Sequence, residues 1–304
     1  FVDDMAIMFD QDKAGVAMRD ELVRNVEAKY KFSTQPDDNV YLGMAERRLS
    51  PTSLLLTQER YLNDVMRRFG LHDSKKRVYR PSDGKPVKVE DCWVDPKVQE
   101  WRDAHPVQQN HCGRKGAQAE NDADESAQGP VTDPKDNPYG RRYREMCGVL
   151  RWVEQCSRPD ISAVLSELCK VQINPGEKHR KAMEHLMMYI NSTKNVGIMY
   201  GCAKDTSVTD GPLVGYVDSD WAGDGESFYT RGGWIFQSWQ GTVSWSSYMI
   251  KSIAASSCEA EYMSAAQAVR ESKWLRYFFS DLGYGDLMPT HYSKLCGDDY
   301  RKER

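Results

Sequence analysis

Tyr216-Val217-Asp218-Ser219-Asp220-Trp221-Ala222-Gly223-Asp224 is the stretch whose reading decides the fold. It continues an apolar run that begins at Leu213-Val214-Gly215. The run reads as a buried strand whose last residues deliver a carboxylate, followed by a turn. Two more apolar runs follow, Gly233-Trp234-Ile235-Phe236 and Thr242-Val243-Ser244-Trp245, which read as a hairpin. A helix is expected next, from about Ser256 to Leu282, with Glu259 and Glu261 near its start. Cys258, Tyr262, Ala265, Val269, Leu275, Phe278 and Phe279 supply its expected apolar side. Leu295-Cys296-Gly297-Asp298-Asp299 then reads as a strand ending in acids. Strand-Asp, hairpin, helix-Glu, strand-Asp is an order that brings carboxylates to one end of a sheet. Clustered carboxylates repel one another and are tolerated mainly when they share divalent cations. Two metals about 4 Å apart are a common apparatus for phosphodiester chemistry.

Upstream of this unit the periodicity changes. Phe1-Val2-Asp3-Asp4-Met5-Ala6-Ile7-Met8-Phe9 reads as a hairpin with two acids at its turn. A helix is expected from Lys13 to Tyr30, then short strands at 40–44 and 53–56. Thr57 is placed to cap a helix carrying Tyr61, Val65 and Phe69, and Gly70 to end it. From Ser82 to Tyr139 the pattern dissolves into polar and acidic residues, which reads as a flexible linker or insertion. Helices return with Met146, Leu150 and Val153 on one face, then with Pro159-Asp160 opening another. Asn174-Pro175-Gly176-Glu177 reads as a cap, a first helical proline and an acid in the first turn. Ile198-Met199-Tyr200 is a strand candidate.

The 304 residues carry a formal net charge of −4. Between Glu90 and Asp136 there are 11 acids and 5 bases, so the acidity is local. Basic clusters elsewhere (67–68, 75–77, 141–144 and 178–181) could meet phosphates, although solvated helix faces explain each as well. The 8 cysteines form no Cys-x-x-Cys pair, and His105, His111, Cys112 and Cys92 fit no zinc-finger spacing. With no signal peptide and no apolar run of membrane-spanning length, the expectation is reduced thiols, no membrane, and a cytoplasmic or nuclear location.

Five motifs in order resemble the C-terminal part of a copia-type retrotransposon Pol polyprotein, the end of reverse transcriptase followed by ribonuclease H. Phe1-Val2-Asp3-Asp4 resembles the polymerase YVDD box. Tyr41-Leu42-Gly43, with Leu56-Thr57-Gln58 and Arg68-Phe69-Gly70, resembles the palm-to-thumb segment. Tyr143-Arg144, Gly148 and Arg158-Pro159-Asp160-Ile161 resemble the connection. Asp218 to Asp224, Ser244-Trp245-Ser246-Ser247 and Ser256-Ser257-Cys258-Glu259-Ala260-Glu261-Tyr262 resemble the ribonuclease H signature. Cys258 stands where the family usually has Thr.

The resemblance implies that Asp218, Glu261 and Asp298 are the catalytic carboxylates, holding two Mg²⁺ ions, or Mn²⁺. It implies an RNA–DNA hybrid as substrate and the missing polymerase portion of the parent polyprotein as partner. Asp3 and Asp4 become vestigial polymerase ligands, and the chain is expected not to extend a primer unaided. The expected fold class is α/β: a ribonuclease H-like mixed sheet with helices, its C-terminal strand and helix missing, preceded by an α+β palm, thumb and connection remnant. The expected divisions are 1–81, the linker 82–139, a helical connection 140–195 and the ribonuclease H-like unit 196–304. The alternative is a catalytically dead remnant that at most binds nucleic acid. Plain turn and cap roles are expected for Asp220 and Asp224, a favourable helix-dipole role in the first turn for Glu259, and core roles for Trp221, Trp234 and Trp245.

Overall fold

Two four-stranded sheets flank a helical core in the computed structural model, which describes residues 13–29, 40–41, 43–84, 88, 91–104, 133–201, 213–223, 229–284 and 290–294. Asp3, Asp4, Asp224 and Asp298 lie outside the described residues, as do His105, His111 and Cys112. The architecture is mixed α/β.

Helix α1 spans Lys13–Glu27. The first sheet follows, built from β1 (Val40–Tyr41), β2 (Met44–Ser50), β3 (Ser53–Thr57) and, from much later in the chain, β4 (Ile198–Tyr200). All its pairings are antiparallel, with Arg47 opposite Leu55 and Leu55 opposite Met199. The expected boundary at 196 put β4 in the C-terminal unit. Its hydrogen-bonded partner is β3 instead, because the apolar Leu54-Leu55-Leu56 needs a second neighbour on its far edge.

Helix α2 (Glu59–Arg68) buries Leu62, Val65 and Met66. Its cap is Gln58 rather than the expected Thr57, and Gln58 makes no capping bond. Its side chain turns inward, where Ser157 Oγ donates to Oε1 at 2.6 Å. Gly70 ends the helix as expected. Its φ of +68° lets Gly70 N bond Arg67 O while Leu71 N bonds Met66 O, a reversal that a side chain would strain. Helices α3 (Pro96–Ala104), α4 (Gly140–Cys156), α5 (Ser162–Lys170) and α6 (Glu177–Ser192) follow. The stripe of α2 packs into one core with Leu150 of α4, Leu165 of α5 and Leu186 of α6, each with no exposed surface. The expected divisions 1–81 and 140–195 therefore share a core. A single amphipathic stripe must bury somewhere, and these helices supply the surface.

The start of α6 departs from the expected capping. Gly176, not Asn174, is the N-cap, and Gly176 N donates to His179 Nδ1 at 2.9 Å. Asn174 is otherwise engaged. It donates to Trp93 O at 2.7 Å and accepts from Asn137 Nδ2 at 2.7 Å. The buried His179 ring reaches Lys88 O through Nε2 at 2.7 Å, and Lys178 pairs with Asp91 at 2.6 Å. The described residues from 88 to 93, in a stretch expected to be a flexible linker, are thus docked on α6. His179→Ala removes the partners of Gly176 N and Lys88 O together. It should lower stability by about 1–2 kcal/mol and expose this segment to proteolysis. Unchanged melting and an unchanged digestion pattern would contradict the docking.

The second sheet contains β5 (Leu213–Asp220), β6 (Arg231–Ser238), β7 (Gly241–Met249) and β8 (Thr290–Lys294). The order is β7-β6-β5-β8, with antiparallel pairs throughout except the parallel β5–β8 pair. Between β7 and β8 runs α7 (Ser257–Asp281). Its buried face is Ala260, Ser264, Ala268, Ser272, Leu275 and Phe279. The expected face was wrong at Cys258, Tyr262, Val269 and Phe278, which are exposed; Tyr262 is 74% exposed. The helix turns its smallest residues inward because the sheet comes close. A Cβ on Gly232 of β6 would lie 2.6 Å from Ser264 Oγ, so this contact requires glycine on one side and a small residue on the other.

Candidate functional site

Strand alternation sorts β5 into two faces. Gly232 faces α7 and pairs with Ser219, so Leu213, Gly215, Val217 and Ser219 point toward that helix. Tyr216, Asp218 and Asp220 point the other way. Asp218 is exposed and lines an open groove of about 220 Å³. One wall is sheet, including Tyr216, Gly233, Ile235 and Trp245; the other is Pro159, Asp160, Ser162 and Ala163 at the entrance to α5.

Long-range contacts hold the two walls together. Arg231, opposite Asp220 on β6, is partly buried, pairs with Glu167 of α5 and donates to Ser247 Oγ at 3.1 Å. Burial and the nearby Arg151 charge pull its pKa below the ordinary arginine value. Trp245 Nε1 donates to Glu154 O of α4 at 3.2 Å. The second carboxylate in the groove, Asp160, is committed. Its Oδ1 accepts from Arg158 Nε at 2.9 Å, and its Oδ2 from Arg158 Nη2 and Tyr189 OH, both at 2.7 Å. The sequence offered Arg158-Pro159-Asp160-Ile161 as a helix opening and a family likeness; here it is a structural lock around the buried Arg158 that also walls the groove.

Glu261 lies on α7, which packs on the opposite face of the sheet from Asp218. The helix runs antiparallel to β5, with Ser264 beside the C-terminal half of β5 and Leu275 and Phe279 clustered with Leu213. Glu261 and Asp218 therefore share one end of the sheet but attach to different faces of it. Glu259 lies in the first turn of α7, as expected, and also takes part in its capping. Glu259 N donates to Ser256 Oγ at 3.2 Å and its Oε2 accepts from Ala255 N at 2.7 Å. Asp220 closes the following turn through Gly223 N at 3.3 Å. Trp221, expected in the core, is 49% exposed and held by its Nε1 on Ala254 O at 2.9 Å.

Two Mg²⁺ ions need more ligands than Asp218 and Glu261. Among the described residues no three His, Cys, Asp or Glu side chains gather closely enough to hold a metal. Asp298 lies outside those residues, so the described ones alone do not make a metal centre.

Most basic clusters are paired helix faces. Arg67 meets Asp64 at 2.6 Å, Arg68 meets Glu145 at 3.2 Å, and Arg180 reaches both Glu177 and Glu184. An open groove of about 500 Å³ beside α2 gathers Arg47, Arg60 and Arg67 with Asn63. Among the described residues no helix is long and apolar enough to cross a membrane.

No protein-family model matches this chain, and no solved structure does. Curated relatives do. Retrovirus-related Pol polyprotein from transposon TNT 1-94 of Nicotiana tabacum is 27% identical over 298 residues, 97% of this chain and 19% of that protein. Retrovirus-related Pol polyprotein from transposon RE1 of Arabidopsis thaliana is 27% identical over 259 residues, 85% of this chain and 14% of that protein. Secreted RxLR effector protein 161 of Plasmopara viticola is 34% identical over 133 residues, 44% of this chain and 90% of that protein. The chain spans less than a fifth of either polyprotein. Along nearly its whole length the chain is thus similar to retrovirus-related Pol polyproteins of transposons.

Proposed function

We propose that the unit from β5 to β8 is a ribonuclease H-like domain that hydrolyses the RNA strand of an RNA–DNA hybrid with Mg²⁺. The observation that carries this reading is the order of the second sheet. A three-stranded antiparallel meander is followed by a helix that returns the chain to a strand parallel to the first. Asp218 stands near the C-terminal end of that first strand, and Glu261 near the start of the helix that arrives there. RNA is distinguished from DNA in such a hybrid by its 2′-hydroxyls, and phosphate contacts hold the duplex without reading its sequence.

A second reading has its own support. Asp218 and Glu261 attach to different faces of the second sheet, which favours a retroelement fragment that binds the hybrid without cutting it. One experiment separates the two. The 304-residue chain is incubated with labelled hybrid and Mg²⁺ beside Asp218→Asn and Glu261→Gln. Cleavage that falls at least about a hundredfold in both variants supports the nuclease. A folded chain that binds hybrid but leaves its RNA intact supports the fragment. Cleavage indifferent to both changes sinks the site assignment.

A further inference from the structure

Helix α7 presents a second surface on its solvent side, across the sheet from the Asp218 groove. Trp274, Tyr277 and Phe278 are 57%, 67% and 45% exposed there. Helical spacing sets Arg270 one turn before Trp274, Lys273 one turn before Tyr277, and Phe278 one turn after Trp274. The Trp274 and Phe278 rings stack, with centroids 5.5 Å apart and planes 14° apart. Arg270, Lys273 and Arg276 are exposed as well, and among the described residues none of the three pairs with an acid. Glu271, beside Arg270 in sequence, turns to the sheet, where Ser244 Oγ donates to its Oε1 at 2.7 Å. Asp281 is exposed in the last turn. Toward the start of the helix, an open cavity of about 690 Å³ lies between α7 and β7. Tyr248, Lys251, Met263 and Gln267 help to line it, and Gln267 is one turn before Arg270. The cavity gives a concave, ring-lined end to an otherwise convex helix face.

Exposed rings gathered on one face mark a contact surface, and the cations beside them fix the charge of what it contacts. A second copy docked through the same face would bring like charges together. An anionic chain that carries flat rings satisfies both features, with phosphates on the cations and bases on the aromatic side chains. Paired bases are already stacked on one another, so the strand that fits is single. We propose that the solvent face of α7 binds single-stranded nucleic acid, with bases stacked on Trp274 and Tyr277 and phosphates held by Arg270, Lys273 and Arg276. The site needs no metal and uses none of the groove residues, so it stands apart from the nuclease reading.

The test follows fluorescence anisotropy of labelled oligo(dT) and oligo(U), each about 20 nucleotides long, with the full chain in EDTA. Both strands should bind, and the ratio of their affinities tells whether DNA or RNA is preferred. Trp274→Ala should weaken binding about tenfold. Arg270→Gln, Lys273→Gln and Arg276→Gln together should flatten the slope of log affinity against log salt by about 2. Arg47→Gln, in the groove beside α2, should change neither quantity. Unlabelled RNA–DNA hybrid should compete about tenfold less well than either single strand. Every altered side chain is exposed, and circular dichroism confirms that the helices persist. Binding indifferent to Trp274→Ala overturns the proposal, as does equal competition by the hybrid or a larger loss in Arg47→Gln. A dimer that Trp274→Ala splits, in a chain that binds neither strand, also overturns it, because a second copy then covers the face.

Discussion

Asp160→Ala should destabilise the fold by about 3–5 kcal/mol, read as a lower urea midpoint. Arg158 is 1% exposed, and Asp160 supplies its only carboxylate among the described contacts. Removing the acid leaves a guanidinium in the core with two Thr193 oxygens, the carbonyl at 3.0 Å and Oγ1 at 2.8 Å. The Tyr189 ring beneath it, 5.3 Å away, adds attraction but no acceptor oxygen for its N–H groups. The converse change is milder. Arg158→Met removes the charge and keeps much of the volume, while Asp160, partly open to water, can be hydrated. The two variants should therefore rank with the acid deletion worse, and the reverse order would show that Thr193 suffices. Burial alone would raise the Asp160 carboxyl, but the Arg158 hydrogen bonds and charge, with the Tyr189 hydroxyl, hold it below the ordinary 3.8. A depressed acid contributes stability above its unfolded pKa and loses it as pH falls through the folded one. The difference between wild type and Asp160→Ala should thus be full at neutral pH and shrink below about pH 4.

Phe236→Ala should cost a further class of stability, about 3–5 kcal/mol, this time from the second sheet. The ring is fully buried against Leu213, Ala268, Leu275 and Phe279. It also fills the space above Gly215, where a Cβ would sit 2.4 Å from the ring. That closeness predicts a specific coupling. Gly215→Ala alone should be destabilising by about 1–3 kcal/mol through overpacking. Placed in the Phe236→Ala protein it meets an emptied site, so the double mutant should be more stable than the two single losses added together. Additive losses would show that the ring shifts away freely and that the contact is slack.

Much of this was legible in the chain itself, for reasons that can be named. The strands β5, β6 and β7 announce themselves because their apolar runs are short and bounded by Gly, Ser and Asp. Helix α7 was legible in extent and misread in orientation. Hydrophobicity pointed to Tyr262, Val269 and Phe278, but the sheet demanded small residues, and Ala260, Ser264 and Ala268 answer that demand. Strand β2 went unread because Ala45-Glu46-Arg47-Arg48 has no apolar alternation; hydrogen bonds to β1 and β3 hold it, not burial. Asp218 and Glu261 came from motif order. The second wall of the groove did not, because Arg231 meeting Glu167 and Trp245 meeting Glu154 join positions that no local pattern relates.

The parallel β5–β8 pair has a consequence for how this chain acquires its shape. The meander from β5 to β7 closes through neighbouring residues and a two-residue turn at Trp239-Gln240. Pairing Leu213 with Thr290 instead waits until the intervening hairpin and the whole of α7 are in place. Closing a long loop is slow relative to local pairing. On a ribosome β8 also emerges after the other three described strands of this sheet. For that interval the strand carrying Asp218 presents an open edge, and it is during synthesis, more than in the finished protein, that this sheet is vulnerable to pairing with a neighbouring chain.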